Sequence, residues 1–148
     1  MRRVTADGLA LVKRFEGFSP APYLCPAGVW TIGYGSTRDA SGRPLTKDHP
    51  SITEAEAEDL LSADLDRFAG TVLRLIRVPL SDGQFDALAS FAYNLGGGAL
   101  QRSTLRAKVN RREHADVPAE FMKWTKGGGR VLPGLVKRRM AEAAMYAG

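Results

Sequence analysis

At 148 residues, 44% apolar and 25% charged, the chain has the composition of one globular domain, large enough to bury a core without disulfides or metal. Its one cysteine excludes an internal disulfide, His49 and His114 are too far apart in sequence to suggest zinc, and no apolar run reaches the eighteen or so residues of a spanning helix. The net charge of +5 is uneven, because residues 101–148 hold eleven Lys/Arg (Arg102 to Arg139) against Glu113, Asp116, Glu120 and Glu142.

The opening MRRVTADGLALVKRFEG has basic residues, a broken apolar stretch and no small-residue cleavage site, so neither a signal peptide nor a membrane anchor is expected. Thr5 can cap a helix running to about Phe15, whose residues Leu9, Leu11, Val12 and Phe15 form one apolar arc at 100° per residue. Glu16 falls inside that arc, between Leu9 and Val12. A carboxylate aimed into apolar surroundings has a raised pKa; a glutamate that frays to water at a helix end does not. Residues 17–47 then change character. The prolines of SPAPYLCPAG favour extended or turning chain, VWTIGYGST alternates bulky and small residues as a twisted strand does, and DASGRP is a turn. A small antiparallel sheet of two or three strands is expected there. Its glycines (Gly28, Gly33, Gly35) fit either bulges and bends or close approach of a ligand.

From Thr53 a capping box with Glu56 starts the longest helix, with the stripe Leu61, Leu65, Phe68, Val72, Leu75 and a stop at Pro79. SDGQ opens another, with Phe85, Leu88, Ala89, Ala92 and Leu95 on one face and Gly96–Gly98 closing it. Short helices near 103–110 and 118–125 follow, then a turn at Gly127–Gly129 and a last helix from about Leu135 to Tyr146. Arg138 and Glu142, at i,i+4, read as a surface or interlobe pair. The fold class is α+β: a sheet-bearing lobe over about 15–52, a linking helix over about 53–77, and a helical lobe over about 78–148 plus the N-terminal helix. A cleft between lobes is a usual place for a site. The basic C-terminal third fits a solvated face or attraction to a polyanion, whether nucleic acid, anionic lipid or bacterial wall.

Glu16, Cys25 and Thr31 lie within the stretch FEGFSPAPYLCPAGVWTIGYGST, and their spacing resembles the catalytic pattern of phage-type lysozymes, glycoside hydrolase family 24. QFDALASFAYNLGGGALQRSTL resembles that family's central helical signature, and GLVKRRMAEAAMY its closing helix. The resemblance implies a single lysozyme-like catalytic domain that cleaves the β-1,4 bond between N-acetylmuramic acid and N-acetylglucosamine in peptidoglycan. It implies an endolysin that acts as a monomer and needs no cofactor or metal; no nucleic-acid-binding motif is recognisable, so no nucleic acid is expected as a partner, and with neither signal nor anchor the enzyme is expected to stay in the host cytoplasm until a separate pore releases it to the wall. Glu16 is then the proton donor to the leaving oxygen. In inverting glycosidases the second group stands roughly 6.5–9.5 Å away, leaving room for water. Cys25 and Thr31 take that place by resemblance, with Gly35, Thr37 and Asn94 facing the glycan. By residue type alone, Cys25 is equally a small apolar filler, Thr31 a strand former and Asn94 a helix cap. An ordinary thiol titrates near about 8.5 and an aspartate near about 4, so a cysteine at the commoner Asp position requires a locally stabilised thiolate, a neutral thiol that only positions water, or reaction through a small ionised fraction. Three rivals stand beside it: a lytic transglycosylase, which breaks the same bond and needs the acid but no water-holding pair; a non-catalytic wall-binding module, which keeps the fold and the basic face but does not need Glu16; and a nucleic-acid binder, suggested only by the basic C-terminal segment.

Overall fold

The computed structural model describes residues 1–148. In chain order it holds α1 (Ala6–Glu16), β1 (Ser19–Leu24), β2 (Trp30–Gly33), α2 (Glu54–Leu75), α3 (Asp82–Leu95), α4 (Gly97–Arg102), α5 (Thr104–Asn110), α6 (Val117–Phe121), β3 (Lys126–Gly127), β4 (Arg130–Val131) and α7 (Pro133–Ala147). Seven helices and two small antiparallel sheets make the class α+β. The chain divides into two units, residues 12–64 and residues 1–11 with 65–148, and the division falls inside α1 and inside α2.

In the 12–64 unit, β1 and β2 pair with Tyr23 opposite Thr31 and Leu24 opposite Trp30. Beyond Gly33 the pairing continues only as the isolated bridges Ile32–Ser36 and Arg38–Pro44. Gly33 and Gly35, at φ 65° and 95°, turn the chain back on itself before a third strand can form. Gly33 also packs tightly, since a Cβ would sit 3.0 Å from that of Ala57. The predicted capping box opens α2: the Thr53 N–H donates to Glu56 Oε1 (3.0 Å) and the Glu56 N–H to Thr53 Oγ1 (3.1 Å). Lys13 of α1 reaches Glu58 (2.9 Å) and Glu54 (3.5 Å), and the Tyr34 hydroxyl donates to Glu54 (2.9 Å). Ile32, Tyr34, Leu45, Ile52, Ala57 and Leu61 are buried in this unit.

The larger unit is built around α3, which opens with a Ser81–Gln84 capping box and is buried from Phe85 to Ala92. Phe85, Leu88 and Phe91 belong to one core with Val72, Leu75, Leu100, Leu105, Val109, Phe121 and Tyr146. Each such fully buried side chain contributes roughly 1.5–3 kcal/mol of transfer free energy. Asp86, on the same helix, accepts from the backbone N–H (3.0 Å) and the hydroxyl of Thr5 and so ties down the start of α1.

Three local expectations change. Gly96 ends α3, but Gly97 and Gly98 begin α4 rather than closing a helix; Gly97 packs where a Cβ would meet Thr71 Cγ2 at 3.0 Å. The helix expected over 118–125 stops at Phe121. Lys123 and Trp124 bond back three residues, to Glu120 (3.3 Å) and Phe121 (3.1 Å), and this tighter turn sets the Trp124 ring edge-on to Phe91 at 5.3 Å. Gly128 and Gly129, both at positive φ (60° and 79°), form the two-residue turn of a hairpin whose strands are too short to show in a pattern.

The largest correction concerns α7. Arg138 and Glu142 are not a surface pair: they are 3% and 0% exposed, and Arg139 is 0% exposed. Glu142 Oε2 accepts from the Ser90 hydroxyl of α3 and lies 3.4 Å from Arg138 Nε, while Oε1 lies 3.0 Å from Arg139 Nε. Arg139 also donates to Asn94 Oδ1, and its guanidinium lies over the Phe91 ring at 5.3 Å. Burial pushes the Glu142 carboxyl up, against Arg139, Ser90 and Arg138, which all draw it down, and burial likewise lowers the Arg139 guanidinium. Removing one member of such a cluster strands the others. Glu142→Ala is therefore expected to cost about 3–5 kcal/mol, read from the urea midpoint. A loss under about 1 kcal/mol would mean that water already compensates the arginines.

Candidate active site

Glu16 is the last residue of α1 because Gly17 leaves the helix at φ 71°, its N–H bonded to the Lys13 carbonyl at 3.2 Å. Its side chain is partly buried, at the end of an arc that includes the buried Leu11 and Val12. The β1–β2 hairpin follows at once. Its turn is closed by Cys25 and Val29: the Cys25 N–H donates to the Val29 carbonyl (3.0 Å), and the Gly28 N–H to the Cys25 carbonyl (2.8 Å). Pro26 suits the first turn position through its fixed φ, and Gly28 supplies the left-handed residue at φ 78° that lets a three-residue loop rejoin the strands.

This turn determines the chemistry of the thiol. Cys25 is reduced and partly exposed. The Val29 N–H acts most strongly in drawing its pKa below the ordinary thiol value; the Ala27 N–H and the Thr31 hydroxyl add to this, and partial burial opposes it. Thr31 is 4% exposed, and its hydroxyl donates to the Val29 carbonyl at 2.9 Å. The hydroxyl proton is thus engaged by the Val29 carbonyl. With the proton so engaged, the oxygen lone pairs remain free to accept from a water.

Tyr23 was not anticipated from the sequence. It stands opposite Thr31 across the sheet, 42% exposed, and its phenol is pushed up by burial first and then by the charges of Glu16 and Cys25. One aromatic ring therefore senses both ionisable members of the trio. Strand alternation was the available signal, since residues 23 and 25 are two apart, but alternation does not tell which face carries a site. The Ala27 and Val29 amides were equally invisible, because backbone groups leave no mark on composition.

Among the other expected site residues, Gly35 lies in the turn after β2 at φ 95°, and Thr37 is exposed with its carbonyl accepting from Leu45 N–H at 3.0 Å. Between them the buried Ser36 hydroxyl donates to Asp64 at 2.6 Å and holds the loop to α2. Asn94 belongs to the other unit, in the last turn of α3. It does not cap the helix; Arg139 binds its carbonyl oxygen. A concavity of about 260 Å³ lined by His49, Ile52, Glu56, Asp59 and Leu60 contains none of the trio. No three His, Cys, Asp or Glu side chains are grouped to hold a metal ion.

Residues 13–142 match the family described as phage lysozyme. The chain is similar to the endolysin of Acyrthosiphon pisum secondary endosymbiont phage 1, with 39% identity over 147 residues that cover 97% of each protein. It is 40% identical to the endolysin of Bacillus phage B103 over 147 residues, which span 97% of this chain but 53% of that longer relative. Among solved structures, the crystal structure of a P22 lysozyme mutant has a TM-score of 0.90 and 30% identity, with 100% of both chains covered. A family match over most of the chain, full-length relatives and a shared fold agree, and the chain belongs to the phage lysozyme family.

Proposed function

We propose that Glu16, Cys25 and Thr31 carry the reaction of this phage-type peptidoglycan hydrolase, a muramidase, in a single catalytic domain. Protonated Glu16 gives its proton to the leaving glycosidic oxygen as the C1–O bond breaks. A water accepted by Thr31 attacks C1 from the opposite face, gives up its proton to the Cys25 thiolate, and leaves an inverted anomeric centre. The observation that supports this reading best is the tight turn that brings the Ala27 and Val29 amides and the Thr31 hydroxyl to the Cys25 sulfur. Of the three routes open to a thiol at this position, it favours a locally stabilised thiolate. Gly35 and Thr37 are proposed to wall the glycan site, and Asn94 to donate to a sugar through Nδ2, since Arg139 engages its Oδ1. A monomeric state, and retention in the host cytoplasm until a separate pore opens, belong to the same proposal.

Glu16→Gln is expected to keep the fold and to lower clearing of purified peptidoglycan by at least about a hundredfold, because an amide fills the space but cannot donate the proton. Mass spectrometry of wild-type products should show reducing N-acetylmuramic acid ends. Anhydro-muramic ends would replace hydrolysis with transglycosylation, and near wild-type clearing by Glu16→Gln would remove the residue from the mechanism.

Cys25, as the only cysteine, can be tested cleanly. Its alkylation by iodoacetamide should rise with a midpoint below that of a free thiol, about 8.5. The modification should abolish lysis while circular dichroism stays native. Cys25→Asp should remain active with its pH optimum moved to the acid side, because an aspartate ionises near about 4. Full activity in Cys25→Ala, or in the alkylated protein, would return the residue to a packing role.

A further inference from the structure

The β1–β2 hairpin carries one more polar group on the face of the proposed site. Tyr23 stands opposite Thr31 and Leu24 opposite Trp30, and the Cys25 N–H bonds to the Val29 carbonyl, so the register runs unbroken to the thiol. Cross-strand partners share a face, and alternate residues return to it. Tyr23, Cys25 and Thr31 therefore lie on one side of the hairpin, and Leu24 and Trp30 on the other. The Thr31 hydroxyl beside the Cys25 sulfur shows that the alternation holds to the strand end. Glu16, Tyr23, Cys25 and Thr31 all belong to the 12–64 unit. Thr31 is buried whereas Tyr23 is 42% exposed, so the phenol is the outer member of the pair.

Other tyrosine hydroxyls of the chain are engaged internally. Tyr34 donates to Glu54 at 2.9 Å, and Tyr146 pairs with His114 Nδ1 at 2.6 Å. The Tyr23 hydroxyl bonds no protein group. Burial first, and then the charges of Glu16 and Cys25, push its pKa up, so it stays protonated wherever Glu16 can serve as an acid. Packing against a β-branched partner would be served equally by phenylalanine. The oxygen adds a neutral donor on the catalytic face, free to exchange a water for a substrate atom.

On the muramidase reading, Glu16 meets the leaving oxygen on one side of C1, and the Thr31-held water attacks from the other. A group near both Glu16 and Cys25 is placed beside C1, where the sugar offers two neighbours: the ring oxygen and the 2-acetamido group. The ring oxygen gains positive charge in the oxocarbenium-like transition state and repels a donor. The acetamido carbonyl stays a good acceptor throughout. We infer that the Tyr23 hydroxyl donates to the 2-acetamido carbonyl of the N-acetylmuramic acid whose bond is cut, which makes Tyr23 a specificity-determining residue for N-acylated sugars. This assignment rests on the function proposed above.

The test compares wild type and Tyr23→Phe on two soluble peptidoglycan fragments, one intact and one with its muramic acid de-N-acetylated. The exposed amine acts on both enzymes alike, so the ratio of the two losses isolates the contact. Tyr23→Phe should lose about five- to tenfold in kcat/KM on the intact fragment, the worth of one neutral hydrogen bond, and less than about twofold on the other. Re-acetylating the second fragment should restore the full difference. Equal rates of the two enzymes on the intact fragment would overturn the inference in favour of a packing role. An equal loss on both fragments would also overturn it, since the phenol would then act on the sugar ring or the catalytic groups. Anhydro-muramic ends from the wild type would instead remove the hydrolytic reading itself, and that result shows in the products without any variant.

Discussion

Two guanidiniums and one carboxylate must share a dry space between α3 and α7, and this requirement governs the larger unit. Ions taken out of water cost several kcal/mol each unless their partners are well placed. Glu142 therefore has to meet Arg138, Arg139 and the Ser90 hydroxyl together, and Arg139 has to reach Asn94 and lie over Phe91. The two ion pairs lie within α7 and turn with it, but few rotations of α7 about its axis satisfy the three contacts to Ser90, Asn94 and Phe91 of α3. The ionic cluster adds to the demands of apolar packing, because any turn of α7 that parts Glu142 and Arg139 from their α3 partners leaves polar atoms buried and unpaired. The outward direction of Met140 and Ala144 follows from that restriction: a helix that turns its charged side inward has only its small and apolar residues left for the surface.

The smaller unit uses a different device. It has few buried side chains, and its geometry comes from the backbone. Gly17 ends α1, Gly28 closes the hairpin turn, and Gly33 with Gly35 folds the chain back toward α2, all at positive φ. Such turns are short and stiff. They set Cys25 beside the Ala27 and Val29 amides. Oriented N–H dipoles at a partly exposed sulfur favour its anion, much as they favour phosphate in other loops. A cysteine set in such a turn differs chemically from one buried in a core, and the difference comes from neighbouring peptide groups rather than from neighbouring residue types.

The distribution of charge follows the same economy. A count of cations in the last third suggests a broad basic face, but several of them serve internal carboxylates. Glu120, 3% exposed, is held by Lys108 and Lys123, which draw its pKa down, with Lys123 acting most strongly. What remains at the surface is smaller than the count implies. Net charge describes a chain in solution; the placement of each counter-ion decides what a partner can meet.

Much of the fold was legible in the sequence because it depends on neighbours in the chain. The capping boxes at Thr53 and Ser81, the apolar stripe of α2 and the proline and glycine signals around the hairpin are local and act through a few residues. The family resemblance was equally legible, since it rests on ordered motifs along the chain. The residues of the proposed site were nameable for the same reason, but their states were not. The amides that face Cys25, the Tyr23 ring beside Glu16 and Cys25, and the burial of Arg138, Arg139 and Glu142 were decided only by tertiary structure. Ser90 and Glu142, or Thr5 and Asp86, are far apart in sequence, and their i,i+3 and i,i+4 neighbours say nothing of which side of a helix the core will cover. Periodicity shows that a face exists; the energy of desolvating whatever lies on it depends on what packs there, and that is fixed only when the chain has closed around it.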